Sequence, residues 1–394
     1  MIEASEYGLS RPSFQLDPEI DSQIFVGRHD VKEKLESRLR RAIATGTSMH
    51  TIIFGEYGSG KTHTLNYVRR YLIQQKLDVL PIYVGHPRVN EKSTPADLFA
   101  SIINAISPKF VFDLFAKVFD KLQPNIQKTP NEYERTEIIA NFVKNRDLAV
   151  IIHKYIVTRP AEDYLVVKWL SGQKLAAKEK ASLGVITDNS DQFAAVQTLL
   201  TLLRLIYFFE KKYVLVMLDE MESTEQLKPK MQYQFGEFLR PVADEKTGIA
   251  LTMAFTIKGG IENAIELFQP TSPIGSRIGY PQNYIQLLPF QDNESFELFV
   301  SELLSAPGIR NKQSNLKTLI SKAADMTDEK VTDRFFPFTD EAIKAIFQNF
   351  REASVPREAL PREIQKVMTD CLGESMSTNK TIITTEEVLK VLKE

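Results

Sequence analysis

A short stretch near the start of the chain has the residue types that hold a polyphosphate. It reads Gly55-Glu-Tyr-Gly-Ser-Gly-Lys-Thr62, which fits the phosphate-binding loop pattern of a glycine, four residues and then Gly-Lys-Thr. Glycine is needed here because successive backbone N–H groups converge on an anion only where no side chain intrudes. We expect the Lys61 ammonium to reach the β- and γ-phosphates and the Thr62 hydroxyl to bind Mg²⁺.

The segments on either side of this loop are those that the motif requires. Residues 51–54 form an apolar, β-branched run that predicts a buried strand, and residues 64–74 predict a helix. The N-terminal end of that helix would point its dipole at the same anion. A glycine-rich turn with no ligand is the alternative, and the presence of both flanking elements disfavours it.

The segment before the loop resembles part of a known family. Residues 25–28 read Phe-Val-Gly-Arg and are followed by apolar residues at helical spacing, with Asp30 as the expected N-cap. This entry, the short helix and the loop resemble the start of an AAA+ ATPase module, particularly of the initiator, origin-recognition-like type. The resemblance implies ATP and Mg²⁺ as cofactors. It also implies that Val26 and Gly27 pack against the adenine; an ordinary turn is the alternative.

A pair of carboxylates follows a later apolar run. Residues 213–218 do not alternate between apolar and polar, which is typical of a fully buried parallel strand, and the run ends in Asp219 and Glu220. Many such runs are only strand ends. The run at residues 213–218 follows a phosphate loop and a long apolar helix at residues 191–212. In this order along the chain it resembles the Walker B segment of the AAA+ family. The resemblance implies that Asp219 holds Mg²⁺ and that Glu220 orients and deprotonates the attacking water.

The resemblance implies two further residues of the nucleotide-binding domain. In the family, a polar residue at the end of the next strand, here residues 248–257, senses the γ-phosphate. Thr256 is therefore the candidate sensor, and Thr252 is the weaker one. Arg277 lies in a Ser-Arg segment before the last core strand and is the candidate arginine finger, which would face the nucleotide of a neighbouring subunit. A solvated surface arginine is the alternative.

Arg362 is the candidate for a second sensor, which the family places at the start of the third helix of its lid, in contact with phosphates in cis. Arg357 in the preceding Pro-Arg-Glu is the rival. The residues that we expect to bind nucleotide are Val26, Gly27, Gly55, Glu56, Tyr57, Gly58, Ser59, Gly60, Lys61, Thr62, His63 and Arg362. The expected catalytic residues are Glu220, Lys61, Arg277 and Thr256, and the expected metal ligands are Thr62 and Asp219.

The order of these segments predicts an α/β fold. It is a P-loop AAA+ module with a parallel sheet, a helical insertion and a C-terminal helical lid. We expect an N-terminal arm at residues 1–20 that packs loosely or on a neighbour, a nucleotide-binding domain at 21–290 and a helical lid at 291–394. The insertion is expected at about 108–190, where the pattern is mostly helical. A separate domain is the alternative, but the nucleotide-binding module resumes after this stretch.

Short motifs suggest a closer relationship. Residues 169–175, 183–185 and 218–222, together with Gly-Glu-Tyr-Gly-Ser-Gly-Lys in the loop, are similar to segments of the ATP-binding proteins of BREX-type bacterial phage-exclusion systems. Unlike origin-recognition-type initiators, the chain has too few residues after Cys371 for a winged-helix DNA-binding domain. The arginines within 38–41 and 69–70 could contact phosphate backbones, although such clusters are more often solvated helix faces.

The composition is that of a soluble globular chain. Hydrophobic residues make up 43% and charged residues 25%, and 49 Lys and Arg nearly balance 51 Asp and Glu, so no overall basic field indicates nucleic acid. The single cysteine, Cys371, cannot form an internal disulfide, which is typical of a reducing, cytoplasmic location. The N-terminus does not resemble a secretion signal, and the longest apolar run, at 199–209, is too short to span a bilayer.

These patterns predict an ATPase that acts by ATP-dependent assembly in a DNA-associated process, with anti-phage defence as the expected setting. An arginine finger in trans implies a homo-oligomer or hetero-oligomer. The expected partners are ATP, double-stranded DNA and a protein bound through the helical insertion, with no membrane. Two alternatives remain open: a nucleotide-gated regulator of transposition or replication, and an ATP-binding interaction switch with little hydrolysis.

Overall fold

The computed structural model describes residues 3–87, 89–158, 163–352 and 358–393. The chain divides into two compact units, each built from separate stretches of sequence. The first unit comprises Met1–Glu36, Gly55–Tyr71 and Leu287–Glu394, and the second comprises Ser37–Phe54 and Leu72–Gln286. The arm, nucleotide-binding domain and lid were assigned as continuous stretches of sequence, and as functional domains they stay a prediction.

The chain forms a five-stranded sheet. Its strands are β1 (Thr51–Gly55), β2 (Val79–Val84), β3 (Tyr213–Leu218), β4 (Ile249–Thr256) and β5 (Tyr284–Leu287). Their spatial order is β2-β3-β4-β1-β5. β3 pairs in parallel with β2 and with β4, with Val79 opposite Tyr213 and Val214 opposite Ile249. Every residue of β3 is buried, as its continuous apolar run predicts.

Most of the other regular structure is helical, including that of the C-terminal part of the chain. They are α1 (His29–Thr45), α2 (Lys61–Gln74), α3 (Pro95–Ile106), α4 (Pro108–Ile126), α5 (Glu132–Val143), α6 (Arg146–Thr158), α7 (Asp163–Leu170), α8 (Ala177–Leu183), α9 (Gln192–Glu210), α10 (Pro229–Ala243), α11 (Gly275–Ile278), α12 (Asn293–Ser305), α13 (Leu316–Ala324), α14 (Asp340–Glu352), α15 (Pro361–Ser377) and α16 (Thr385–Lys393). The predicted fold class is confirmed: an α/β module with a helical insertion, α4 to α8, between β2 and β3, and a helical C-terminal region.

Several helices begin where the sequence supplies a cap. Thr94 and Asp97 form a capping box at α3, with Pro95 in the first turn. The Asp191 side chain accepts a hydrogen bond from the Ala194 N–H and so starts α9. The prediction of Asp30 as the N-cap of α1 is wrong, because the helix already includes His29 and Asp30 lies in its first turn.

α9 is the core helix of the second unit. Within the described parts of the chain it is the single helix long and apolar enough to cross a membrane. α3 and α4 meet the same criteria only together, as a pair bent by 79°. A core helix of a soluble protein has the same length and composition. The most apolar window of α9 is 56% buried inside the structure, and α9 contacts α3, α4, α10 and β3.

The N-terminal segment belongs to the core of the first unit. Tyr7 and Phe14 have no exposed surface and Leu9 is 1% exposed. The Tyr7 hydroxyl donates to Ser375 Oγ at 3.2 Å, and the ring of Phe14 lies 5.8 Å from that of Phe338. The expectation of a loosely packed arm is therefore wrong, because three large apolar side chains lie between polar ones and outweigh the polar composition.

His50 links two parts of the second unit. The Leu251 N–H donates to His50 Nδ1 at 3.0 Å, and the side chain is buried at 7% exposure. Burial lowers the pKa of His50 below its ordinary value, although the Glu245 backbone and the Asp244 and Glu245 charges act in the opposite direction. The fold therefore favours the neutral ring.

The unfolded chain consequently binds a proton at His50 at a higher pH than the folded chain. We expect the free energy of unfolding to fall as the pH drops below about 6.5, because protonation is then more favourable in the unfolded state. His50→Asn, whose amide oxygen can accept the Leu251 N–H and does not titrate, should lose part of this dependence. Chemical denaturation at several pH values between 5.5 and 7.5 measures the free energy of unfolding of both proteins. An equal dependence of that free energy on pH in the two proteins would contradict the role of His50.

Candidate functional site

The phosphate loop connects β1 to α2 and has the backbone that the motif requires. Gly58 and Gly60 have φ angles of +86° and +98°, which side chains other than glycine adopt only with strain. A Cβ built on Gly60 would meet no atom within 4 Å, so there is open space beside the loop at this position. The loop therefore has both the turn and the room that an anion needs.

The Lys61 side chain lies inside the loop. Its ammonium donates to the carbonyl oxygens of Gly55 and Glu56, at 3.0 and 2.9 Å, and the residue is only 8% exposed. Ser59 Oγ is buried and has no hydrogen-bond partner among the residues that the structure describes. An unsatisfied buried hydroxyl next to the lysine of the loop is a group that a bound phosphate would stabilise.

The first turn of α15 rests on this loop. The Arg362 N–H donates to the Gly58 carbonyl oxygen at 3.3 Å, and a Cβ on Gly58 would lie 3.0 Å from Arg362 Cβ. The Arg362 guanidinium carbon lies 4.7 Å from the centre of the Tyr57 ring. The structure thus brings the candidate second sensor to the loop. Its rival, Arg357, lies outside the described residues.

The entry segment with Val26 and Gly27 is held by α12. The Gly27 N–H donates to Glu302 Oε2 at 2.7 Å, and a Cβ on Gly27 would lie 2.7 Å from Phe299 Cβ. Gly27 also has a φ of +68°, so both the backbone and the close approach of α12 require glycine. The adenine-binding role of Val26 and Gly27 stays a prediction.

His63 connects the entry segment to α2. Its Nε2 lies 2.6 Å from the Ile24 carbonyl oxygen, and its ring stacks on that of Phe25 with centroids 6.5 Å apart. Burial lowers the pKa of His63, while the Ile24 carbonyl acts in the opposite direction. In this structure His63 therefore makes a link within the protein.

The predicted acidic pair follows β3 in the second unit. Asp219 is buried at 1% exposure and accepts hydrogen bonds from the Tyr83 hydroxyl, at 3.0 Å, and from the Glu220 N–H, at 2.9 Å. Glu220 has a φ of +51°, a left-handed conformation that is strained for a glutamate. Its carboxylate lies 2.6 Å from Nδ1 of His86, which follows β2.

The other two predicted residues of the second unit each have a carboxylate partner. Thr256, the last residue of β4, donates from its N–H and its hydroxyl to the two carboxylate oxygens of Glu222, at 3.0 and 2.7 Å. Arg277 in α11 donates from Nε to Asp244 at 3.0 Å, and its side chain is 35% exposed. The sensor and finger roles stay predictions.

Metal binding would depend on the nucleotide. Among the residues that the structure describes, no three His, Cys, Asp or Glu side chains are grouped so that they could hold a metal ion. Mg²⁺ at a phosphate loop takes most of its ligands from phosphates and water. The roles of Thr62 and Asp219 as metal ligands stay predictions.

Sequence reasoning missed the partners of the predicted residues. They are Tyr83, His86, Glu222, Asp244, Phe299 and Glu302. Tyr83 and His86 come from the end of β2 and just after it, and that position next to a predicted strand end was the one available signal. The others lie in helices or loops whose neighbours no local pattern indicates.

The fold and the site define the class of protein. An α/β sheet with a phosphate loop between β1 and α2, a carboxylate pair after β3 and a helical C-terminal region have the arrangement of a P-loop α/β module. Within that class, residues 18–107 match the family model of the "BREX system ATP-binding protein BrxC/D". The similarity to BREX proteins is confirmed over these residues, while the motifs at 169–175 and 183–185 lie beyond the match. No curated protein matches the chain.

Several solved structures have a distant likeness to this one. The RuvB Holliday junction branch migration motor of Thermotoga maritima has 13% sequence identity and a TM-score of 0.40, over 94% of this chain and 70% of that one. The Aeropyrum pernix ORC2 protein has 13% identity and a TM-score of 0.44, over 96% and 69%. The Aeropyrum pernix ORC1 protein in complex with DNA has 11% identity and a TM-score of 0.43, over 94% and 66%. Likeness at this distance says nothing of what this chain binds.

The contact between α15 and the loop can be tested with a pair of glycine substitutions. Gly58→Ala and Gly60→Ala both place a side chain at a positive φ, which we expect to lower the free energy of unfolding by about 1–2 kcal/mol. Only Gly58→Ala also pushes against Arg362 Cβ, so we expect it to lose about 1 kcal/mol more. Chemical denaturation measures both values, and equal losses would show that α15 does not rest on the loop in solution.

Proposed function

We propose that this chain binds ATP with Mg²⁺, hydrolyses it, and acts by ATP-dependent assembly in a DNA-associated process, with anti-phage defence as its setting. The observation that carries the proposal is the Lys61 ammonium, which is 8% exposed and held by two loop carbonyls inside a glycine loop. A cation in this position stabilises phosphate charge strongly, because little water screens it. The match to a family of BREX ATP-binding proteins over residues 18–107 supports the same nucleotide.

The roles in hydrolysis follow from the chemistry of each side chain. Lys61 binds the β- and γ-phosphates, and Thr62 and Asp219 hold Mg²⁺. Glu220 orients the attacking water and takes its proton, and His86 fixes the direction of the Glu220 carboxylate through their 2.6 Å contact. Thr256 senses the γ-phosphate, and Glu222 sets its orientation through two hydrogen bonds.

Arg277 is proposed to act on the nucleotide of a neighbouring subunit. A guanidinium there neutralises the charge that grows on the transferred phosphoryl group. In a single chain Arg277 forms an ion pair with Asp244, and the two side chains are 35% and 50% exposed. Because water screens an exposed ion pair, little free energy is needed to separate the two side chains. A finger in trans requires head-to-tail contacts, which close into a ring or continue as a spiral.

The setting is proposed from the matched family. The matched family is named for the BREX system. Together with the resemblance to the ATP-binding proteins of BREX-type phage-exclusion systems, this name supports a cytoplasmic protein that acts on DNA or on proteins bound to it. The helical insertion, α4 to α8, is the proposed site for a protein partner. It exposes Tyr133 and Tyr164, at 60% and 63%, and Ile186 lies just beyond it at 70%.

Nucleotide binding and turnover can be separated by two substitutions. Lys61→Ala should abolish ATP binding, since it removes the cation of the loop. Glu220→Gln should bind ATP normally and hydrolyse it about 100-fold or more slowly, because it keeps the side-chain shape without the base. Isothermal titration and phosphate release measure the two steps, with Lys121→Ala and Glu262→Gln as controls at exposed positions. Wild-type binding without turnover would favour the interaction switch, and no binding would refute the proposal.

The trans role of Arg277 can be tested by mixing two inactive variants. Arg277→Ala and Glu220→Gln should each hydrolyse ATP poorly. In a mixed oligomer, some interfaces combine the intact Glu220 of one variant with the intact Arg277 of the other, so we expect activity to return to about a quarter of the wild-type rate. Phosphate release and the oligomeric mass with ATP, with and without double-stranded DNA, measure this. If mixing restores nothing and all proteins stay monomeric, the trans assignment is wrong.

A further inference from the structure

Tyr57 is an exposed aromatic residue in the middle of the phosphate loop. It is 68% exposed, and no backbone requirement of the loop explains an aromatic ring at this position. The Arg362 guanidinium carbon lies over the ring at 4.7 Å from its centre, which is a cation–π contact. The side chains of Tyr57 and Arg362 are therefore in direct contact at the loop.

The backbone on both sides of this contact is fixed. The Arg362 N–H donates to the Gly58 carbonyl at 3.3 Å, and the space where a Cβ of Gly58 would lie is bounded by Arg362 Cβ at 3.0 Å. Pro361 starts α15 at this point, and its ring restricts the backbone further. The main chain thus places residue 362 on the loop, but it does not determine the rotamer of the long arginine side chain.

We propose that Tyr57 is a positioning residue for Arg362, and that its ring orders the guanidinium over the phosphate loop before the nucleotide binds. A guanidinium stacked on a ring keeps its in-plane N–H groups free, and these are the groups that bind a phosphate in a bidentate manner. Holding the side chain in advance removes part of the conformational entropy that binding would otherwise lose. The inference rests on the proposed ATP binding and adds a residue to it.

The experiment is a double-substitution cycle on nucleotide affinity. Tyr57→Ala, Arg362→Gln, the double variant and wild type are titrated with a non-hydrolysable ATP analogue and Mg²⁺ in isothermal calorimetry. We expect Tyr57→Ala to raise the dissociation constant about two- to fivefold. This is the loss of affinity that an exposed cation–π contact accounts for when about 1.4 kcal/mol corresponds to a tenfold change. In the Arg362→Gln background the same substitution should have no effect, because the ring acts through the arginine.

Two further variants complete the experiment. Tyr57→Phe keeps the ring and should retain most of the affinity. Tyr233→Ala, which removes an exposed tyrosine from α10, should bind the analogue as wild type does. Thermal unfolding of each protein checks that the losses do not come from unfolding, and we expect Tyr57→Ala to keep the wild-type midpoint because its side chain is exposed.

Each result decides the inference. Equal losses from Tyr57→Ala in both backgrounds would show that the ring acts on the nucleotide itself, for example by stacking on the base, and would overturn the positioning role. Unchanged or tighter binding by Tyr57→Ala would also overturn it. In both cases wild-type binding would leave the proposed function standing. A wild-type protein that binds no nucleotide would refute the proposed function and this role with it.

Discussion

The phosphate loop of the first unit must accommodate a buried ammonium group, that of Lys61. Lys61 is 8% exposed, and a charge with so little water needs partners. The carbonyl oxygens of Gly55 and Glu56 are two of these partners, and the loop that carries them turns through positive φ angles at Gly58 and Gly60.

Two helices of the first unit approach glycines of the loop and of the entry segment closely. α15 approaches through Arg362 and requires glycine at position 58, and α12 approaches through Phe299 and Glu302 and requires glycine at position 27. Gly58 and Gly27 are therefore also packing positions. The local sequence pattern had assigned them only to a phosphate turn and to an entry segment. A helix that touches the loop can respond when the loop binds a ligand, because packed elements do not deform continuously.

The second unit arranges its acidic residues from adjacent strands. β2 lies next to β3, so residues at or just after the end of β2 reach the carboxylates that follow β3: Tyr83 donates to Asp219, and His86 contacts Glu220. The strands are neighbours although α3 to α9 separate them by more than a hundred residues of sequence. The left-handed backbone at Glu220 is a strained conformation for a glutamate.

The sequence by itself determined the elements and the loop. The run of residues 51–62, the apolar strand before Asp219 and the helical stretch of the insertion all follow from local rules, because glycine geometry, apolar continuity and capping act over a few residues. The tertiary structure decided which side chains meet. The Tyr57–Arg362 contact, the Gly27–Glu302 bond and the burial of Tyr7 join residues about 275 to 370 positions apart. No local period encodes such pairs, since they form only when whole elements pack to exclude water.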